Sequence, residues 1–385
     1  MNASEPELRI ALFTGNYNYI KDGVALTLNR LVAFLESRGI PVLIFAPTGP
    51  APAFDSVGEL VPVPSFPIPT RSEYRIALGL PKMARERLKE FRPTLFHIAV
   101  PDVLGYQALK LAKTWGIPAV ASYHTRYDTY LRFYRLGILE KLGKRYLRSF
   151  YTKVRRVYPP SESMAEIIRG EGQSQNVEVW ARGVDSEMFS PAQRDTAWRR
   201  SLGIADDDVV ISFVGRLVKE KNTGIVSHVL NLLTQRGLRF RAMIVGDGPE
   251  LAAMKAALPD GDFVGFLHGD ELARAYASAD IFFFPSESET FGNVTLEAMA
   301  SGLPAVNAIA SGSNSLVVEG ETGFLVSARD EAGLADRLAL LVNDQGLRHK
   351  MGAAARQRAL AFSWETILSG LLESYRQVLR EAHGR

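Results

Sequence analysis

Cysteine is absent from this chain of 385 residues, which removes disulfides and thiolate metal ligands and suits a reducing compartment. No apolar run approaches the roughly 20 residues of a membrane-spanning helix. The opening MNASEPELRIALF has neither the basic flank nor the long apolar core of a secretory signal. Together these absences predict a cytoplasmic protein, either soluble or peripheral to a membrane. Also missing is a G-x-G-x-x-G after a strand, which counts against a dinucleotide oxidoreductase. His and acidic residues show no metal-ligand spacing, so no metal or cofactor is expected. No recognised nucleic-acid module is present, and nucleic acid is not an expected partner.

What is there fits two globular domains, since the chain is too long for one ordinary core. The formal net charge of +3 conceals an asymmetry. Residues 1–180 carry 24 Lys and Arg against 16 Asp and Glu, or +8, which leaves 45−24=21 against 42−16=26, or −5, for the remainder. The first half is therefore the one expected to meet an anionic surface.

Short apolar strands alternate with helical segments throughout. LRIALFT (8–14), PVLIFAP (41–47), TLFHIAV (94–100) and PAVASYHT (118–125) read as strands of the first half, with a Pro-rich irregular stretch at 59–69. The cycle repeats with VVISFVG (209–215), RAMIVGDGP (241–249), DIFFFPS (280–286), LPAVNA (303–308) and GFLVS (323–327). This alternation predicts an α/β protein of two Rossmann-like, doubly wound domains, divided into 1–183 and 184–362. The tail 363–385 has helical spacing and is expected to pack back on the first domain. In open α/β sheets ligands sit beyond the carboxyl ends of the strands, so strand-end loops hold the functional candidates.

One such loop is GRLVKEK (215–221), where Arg216 and Lys221 could reach a single anion; a solvated basic loop is the plainer alternative. VGDGPE (245–250) is another, in which the glycines permit either close approach to a ligand or an ordinary tight turn. Asp260-Gly261-Asp262 spells D-x-D but reads as a turn between a helix and a strand. The most informative run is SESETFGNVTLEAMASGLP (286–304), in which Glu289 and Glu297 straddle the start of a helix near Asn293. Free N–H groups and the positive helix end would point at a ligand there. Glu289 can reach sugar hydroxyls, and Glu297 can accept from a vicinal diol such as a ribose. The alternative is dipole compensation by two surface acids, worth ~0.3–1 kcal/mol.

E-T-F-G-N-V-T-L-E resembles the E-x7-E motif of retaining glycosyltransferase family 4, and the R-x4-K pair, GDGPE and GLPAV fit the same family in order. That resemblance implies a GT-B fold, with the two Rossmann-like domains facing a central cleft and the nucleotide sugar held mainly by the second. It implies that Arg216 and Lys221 grip the donor diphosphate in place of a divalent metal, with Gly215, Gly246 and Asp247 near the donor. Glu297 would hold the ribose. Glu289 and the backbone of Phe291, Gly292 and Asn293, continuing to Val294, would orient the transferred sugar, and Phe266 and Leu267 would meet the base. His124 in SYHT would border the reacting carbon, or else be a core or capping histidine; His97 is expected to be structural. The family's first loop usually carries adjacent glycines, but GNYNYIKDGV (15–24) keeps only Gly23 and places Asp22 beside it. Asp22 would accept from an acceptor hydroxyl or make a turn, while Tyr17 and Tyr19 would shape the acceptor entrance with Tyr127.

The segment 126–156 holds ten Lys and Arg against two acids, interleaved with Tyr, Phe, Leu and Ile. It reads as a membrane-surface helix, with a solvated helix packing its aromatics inward as the rival. It also resembles the subgroup containing sulfolipid synthase and GDP-mannose-dependent α-mannosyltransferases, which implies a lipid or glycolipid acceptor. A soluble glycan or metabolite acceptor is the alternative, as is a non-transferring GT-B enzyme (phosphorylase or nucleotide-sugar epimerase).

Overall fold

The strand order 3-2-1-4-5-6 occurs twice. In this computed structural model, which describes residues 7–68, 71–124 and 137–384, the first sheet is built from β1 (Ile10–Phe13), β2 (Val42–Pro47), β3 (Glu59–Val63), β6 (Leu95–Ile98), β7 (Ala119–Ser122) and β8 (Arg156–Tyr158). They lie in the order β3-β2-β1-β6-β7-β8, every neighbour parallel. The second sheet repeats the arrangement with β9 (Val210–Val214), β10 (Arg241–Val245), β11 (Asp262–Gly265), β12 (Ile281–Phe284), β13 (Ala305–Ala308) and β14 (Gly323–Val326), in the order β11-β10-β9-β12-β13-β14. The order reverses between β1 and β6 and again between β9 and β12, and it is outside such reversals that doubly wound sheets bind ligands.

The inner strands are buried on both faces, so they read as near-continuous apolar runs rather than alternating. All four residues of Ile281–Phe284 are buried, as are those of Ile10–Phe13. Phe13 stacks on Phe45 at 5.1 Å, and Phe213 meets Phe284 at 5.5 Å. The stretch 59–69, expected to be irregular, instead supplies edge strand β3 and then β4 (Ser65–Ile68), which pairs antiparallel with β5 (Arg71–Ala77). Proline is tolerated there because an edge strand can forgo a ladder donor.

The two compact units are Met1–Trp180 with Ile367–Arg385, and Ala181–Thr366. The sequence boundaries at 183/184 and 362/363 lie beside these, and the second crossing falls inside the final helix, Trp364–Ala382. Leu368, Leu371, Leu372, Tyr375, Val378 and Leu379 form that helix's buried stripe. Within the first unit it is anchored by Arg156, which donates to Ser374 (3.0 Å), Gln377 (3.2 Å) and Glu381 (3.0 Å).

In the second unit, a fully buried arginine aligns the two strands at the reversal. Arg199 donates from Nη1 to the Ser278 carbonyl (2.7 Å) and Asp280 Oδ2 (3.2 Å), and from Nη2 to the carbonyls of Ala205 (3.0 Å) and Asp208 (2.7 Å). Asp280, just before β12, also accepts from the N–H of Val210, the first residue of β9, at 2.8 Å. Replacing Arg199 with Met would deprive three carbonyls of a charged donor and leave Asp280 only Arg194 (2.9 Å) of its two arginines, so denaturant unfolding should show a loss of ~3–5 kcal/mol. Arg199→Lys should recover little of it, because one ammonium cannot reproduce the fork.

Candidate functional site

The loops leaving β9, β10 and β11 are laced together by backbone. Gly215 N–H donates to the Val245 carbonyl (3.0 Å), Leu217 N–H to Asp247 (2.9 Å) and Gly246 N–H to Gly265 (2.7 Å). A Cβ at Gly246 would lie 1.9 Å from the Gly215 carbonyl oxygen, and one at Gly248 would lie 2.4 Å from that of Leu217. Their φ values are +140° and +156°. What makes glycine necessary in GDG is thus the neighbouring loop, whose carbonyls occupy the space a Cβ would need. Asp247 is exposed, and its carboxylate folds back onto the N–H of Gly248 at 2.7 Å.

Beyond Gly215 the chain makes a 3-10 turn, Lys219–Lys221, closed by Asn222 in the left-handed region at φ +55°. Asn222 donates to the Pro285 carbonyl (2.8 Å), and Ser288 Oγ to that of Glu220 (3.3 Å), tying this turn to the loop after β12. Lys221 forms an ion pair with Glu289, the two side chains being 18% and 20% exposed. Arg216 is exposed and pairs with Glu220 at 3.1 Å. Each of the two predicted cations therefore carries an acidic partner.

The helix Asn293–Ala300 starts after Gly292, with Asn293 exposed and Val294 half-buried. Phe291 is a core residue whose ring meets Phe362 at 6.1 Å, which leaves only its backbone for a ligand. Glu297, one turn into the helix, accepts from the hydroxyl of Tyr276 at 3.1 Å. Burial, and then the charge of Glu297, hold the Tyr276 phenol well above its usual range. It stays protonated and keeps donating. Tyr276 was missed on sequence, and nothing in ELARAYASAD marks it. Phe266 is 75% exposed and stacks on His268 at 6.1 Å, a free aromatic face at the end of β11. Leu267 turns instead to the outer edge of β11, in a hollow of about 390 Å³ shared with Trp198, Leu202 and Phe263. Asp262 of the D-x-D is gripped by Arg241 at 2.7 and 3.1 Å.

The first unit corrects one expectation and decides between two alternatives. Tyr17 is fully buried and donates to the Val57 carbonyl at 2.6 Å, so it belongs to the core and cannot shape an entrance. Asp22 takes the turn-making role: Oδ1 caps the helix Gly23–Ser37 by accepting from Ala25 N–H (2.8 Å), and Oδ2 accepts from Asn16 (3.0 Å). Gly23 is the exposed first residue of that helix. Tyr19 is half-buried, donating to the Gly15 carbonyl at 2.9 Å. Tyr127 lies outside the described residues. So does much of the basic segment; its described part includes the helix Gly137–Tyr151, which buries Leu147, Phe150 and Tyr151 and exposes Leu142, Arg145, Tyr146 and Arg148.

His124 follows β7 and is 9% exposed; its Nε2 lies 2.8 Å from Ser122 Oγ. Ser122 also lies 3.0 Å from Nε2 of His97, whose Nδ1 is 2.6 Å from the hydroxyl of Tyr375. The Trp180 ring stands edge-on to both imidazoles at 5.7 Å. Burial lowers the His97 pKa to about 3. Between pH 6.5 and 3 the unfolded chain therefore takes up a proton at this residue that the folded chain refuses. Each unit of acidification in that window should remove about 1.4 kcal/mol of what His97 contributes. The stability difference between wild type and His97→Gln should shrink accordingly from pH 7 to pH 4, as followed by denaturant melts. Taking the difference cancels the opposite titration of buried Asp102, whose pKa burial raises to about 6.

The family described as Glycosyltransferase Family 4 matches residues 21–188, and that described as Glycosyl transferases group 1 matches residues 194–358. The chain is 32% identical over 377 residues to a GDP-mannose-dependent alpha-mannosyltransferase of Corynebacterium glutamicum, covering 97% of this chain and 89% of that protein. It is 31% identical to a sulfoquinovosyl transferase of Arabidopsis thaliana, over 92% of this chain and 71% of that one. An alpha-monoglucosyldiacylglycerol synthase of Streptococcus pneumoniae is 27% identical, over 78% and 70% of the two chains. Among solved structures, sucrose-phosphate synthase from Thermosynechococcus elongatus superposes with a TM-score of 0.79 at 18% identity, covering 97% of this chain and all of that one. With both units matched in the order the sequence predicts, the chain belongs to glycosyltransferase family 4 and is a glycosyltransferase of the GT-B fold.

Proposed function

We propose that this protein transfers a hexosyl group, with retained anomeric configuration and without a metal ion, from GDP-mannose or a UDP-hexose to a lipid or glycolipid acceptor at the cytoplasmic face of a membrane. The observation that carries this reading is the meeting of Lys221 and Glu289 across the β9/β12 reversal. A cation suited to phosphate and a carboxylate suited to sugar hydroxyls are delivered to one point by two different loops. Glu297, held by Tyr276, is suited to a ribose diol, and the exposed ring of Phe266 to a base.

In this reading Arg216 and Lys221 exchange their acidic partners for the donor diphosphate. The acceptor hydroxyl attacks the anomeric carbon on the face from which the diphosphate departs. As the new C–O bond forms, the bond to the phosphate oxygen breaks, and the hydroxyl proton passes to that oxygen. Charge therefore builds on the leaving group, where the two cations stabilise it.

The acceptor class rests on the names of the relatives and on the helix Gly137–Tyr151, whose outer face sets Leu142 and Tyr146 among Arg145 and Arg148. Tyr146 stacks on exposed Tyr106 at 6.4 Å, and Lys153 lies 5.4 Å from that ring. Apolar and aromatic side chains set among cations suit an anionic leaflet.

A thermal-shift panel of UDP, GDP, ADP and CMP, without and then with magnesium, tests the donor. A nucleotide at a hundred times its Kd stabilises by ~2.7 kcal/mol, so one winner without metal is the expected result, and no shift with any nucleotide counts against the transferase chemistry. Arg216→Ala should lower the rate of transfer roughly a hundredfold and weaken nucleoside-diphosphate binding; an unchanged diphosphate affinity would refute the grip. For the membrane, Arg145→Gln, Arg148→Gln and Lys153→Gln together should cost ~3 kcal/mol in binding to phosphatidylserine vesicles, with donor binding intact. Undiminished vesicle binding would refute the membrane role of this segment.

A further inference from the structure

Four polar groups in the first unit form an unbroken chain, Tyr375 OH–His97–Ser122–His124, and its Tyr375 end sets the direction of donation along it. The Tyr375 hydroxyl is fully buried, and its only hydrogen-bond partner among the described residues is Nδ1 of His97, at 2.6 Å. A buried O–H that donates to nothing costs ~1–3 kcal/mol, so this one donates to Nδ1. A neutral imidazole that accepts at one nitrogen carries its proton on the other. His97 therefore donates from Nε2 to Ser122 Oγ at 3.0 Å. The Ser122 hydroxyl, itself buried, then has one acceptor left for its hydrogen among the described residues, Nε2 of His124 at 2.8 Å.

We propose that Tyr375, His97 and Ser122 are positioning residues that fix His124 as its neutral Nδ1–H tautomer, so that it serves the transferred sugar as a hydrogen-bond donor from Nδ1 and not as a base. Protonating His124 would turn both imidazoles into donors toward Ser122 Oγ and leave the serine hydrogen without an acceptor, so the chain also opposes the imidazolium. Burial keeps His97 neutral across the working pH range, which prevents it from reversing the direction of donation. The edge-on Trp180 ring confines both imidazoles. A neutral donor can hold a sugar hydroxyl without placing positive charge beside an anomeric carbon that itself becomes positive in the transition state. The returning C-terminal helix thus contributes a phenol that decides the chemistry offered by a residue 251 positions earlier (375−124=251).

The role at the sugar rests on the function proposed above, whereas the tautomer does not. Two-bond 1H–15N correlation spectra of the full-length protein, with His124 assigned by loss of its signals in His124→Gln, read it directly. At pH 7 His124 should show the Nδ1–H pattern and His97 the Nε2–H pattern. Tyr375→Phe and Ser122→Ala should each abolish the Nδ1–H preference of His124 and lower kcat roughly tenfold with donor KM little changed. Tyr158→Phe, which removes a hydroxyl bonded 2.8 Å from the adjacent Ser374 on the same helix, should leave the pattern as in wild type. Ser122→Ala is the small change that serves if Tyr375→Phe fails to fold. An Nε2–H or doubly protonated His124 in wild type, or an Nδ1–H pattern surviving Ser122→Ala, would overturn the proposal. The expected pattern with full activity in His124→Gln would uphold the tautomer and refute the role at the sugar.

Discussion

The ion pair of Lys221 with Glu289 is the contact around which the second unit's strand ends are arranged. It joins the loop from β9 to the loop from β12, the two strands that flank the reversal in strand order. Removing either partner would leave a partly desolvated charge without compensation, which is the expensive half of any buried pair. Exchanging partners is different. A diphosphate could take the ammonium while sugar hydroxyls take the carboxylate, and neither charge would be orphaned at any stage. The surrounding backbone makes such an exchange local. Gly246 and Gly248 seat the β10 loop directly against the β9 loop, and Asn222 and Ser288 tie the lysine's turn to the glutamate's loop. The side chains can change partners while the frame stays fixed.

Much of this was legible in the sequence. Apolar runs alternating with helical segments imply parallel strands covered on both faces, and that alone places the candidates at strand ends. The placement of Arg216 and Lys221 after β9, and of Glu289 and Glu297 on either side of the start of Asn293–Ala300, was legible from position and spacing, because strand-end loops and helix starts are local features. Asp22 was legible only as an ambiguity. A short acid before a helix is a cap or a ligand group, and the Asn16 and Ala25 contacts that make it a cap depend on how the loop folds.

The features that sequence reading missed all depend on distant partners. Tyr17 looks like a surface aromatic in a polar loop, yet the Val57 carbonyl forty residues on takes its hydroxyl into the core. Tyr276 sits in an unremarkable helix, and its role appears only once Glu297 is laid beside it. His97 is the structural histidine expected, but the partner that holds it, Tyr375, lies 278 residues away. The glycines of GDG were read correctly as marking a close approach, but the approaching group is the next loop. A sequence shows that space is needed without showing what fills it.

Net charge and local chemistry point in opposite directions in the two halves, and local chemistry decides. The first half carries an excess of +8, equal to that of the segment 126–156 alone (10−2=8), while the half proposed to bind the anionic donor sums to −5. A field spread over a unit steers encounter and is screened within about 10 Å at ordinary salt. A phosphate at a strand end feels instead the few groups that touch it. The acidic balance of the second half also has a local expression in Glu220 and Glu289, which pair with Arg216 and Lys221. In the proposed function, an incoming anion would have to compete with a carboxylate already in contact with each cation. A ligand that presents phosphate to the lysine and hydroxyls to the glutamate together compensates both partners of the pair it opens, whereas free phosphate compensates only one.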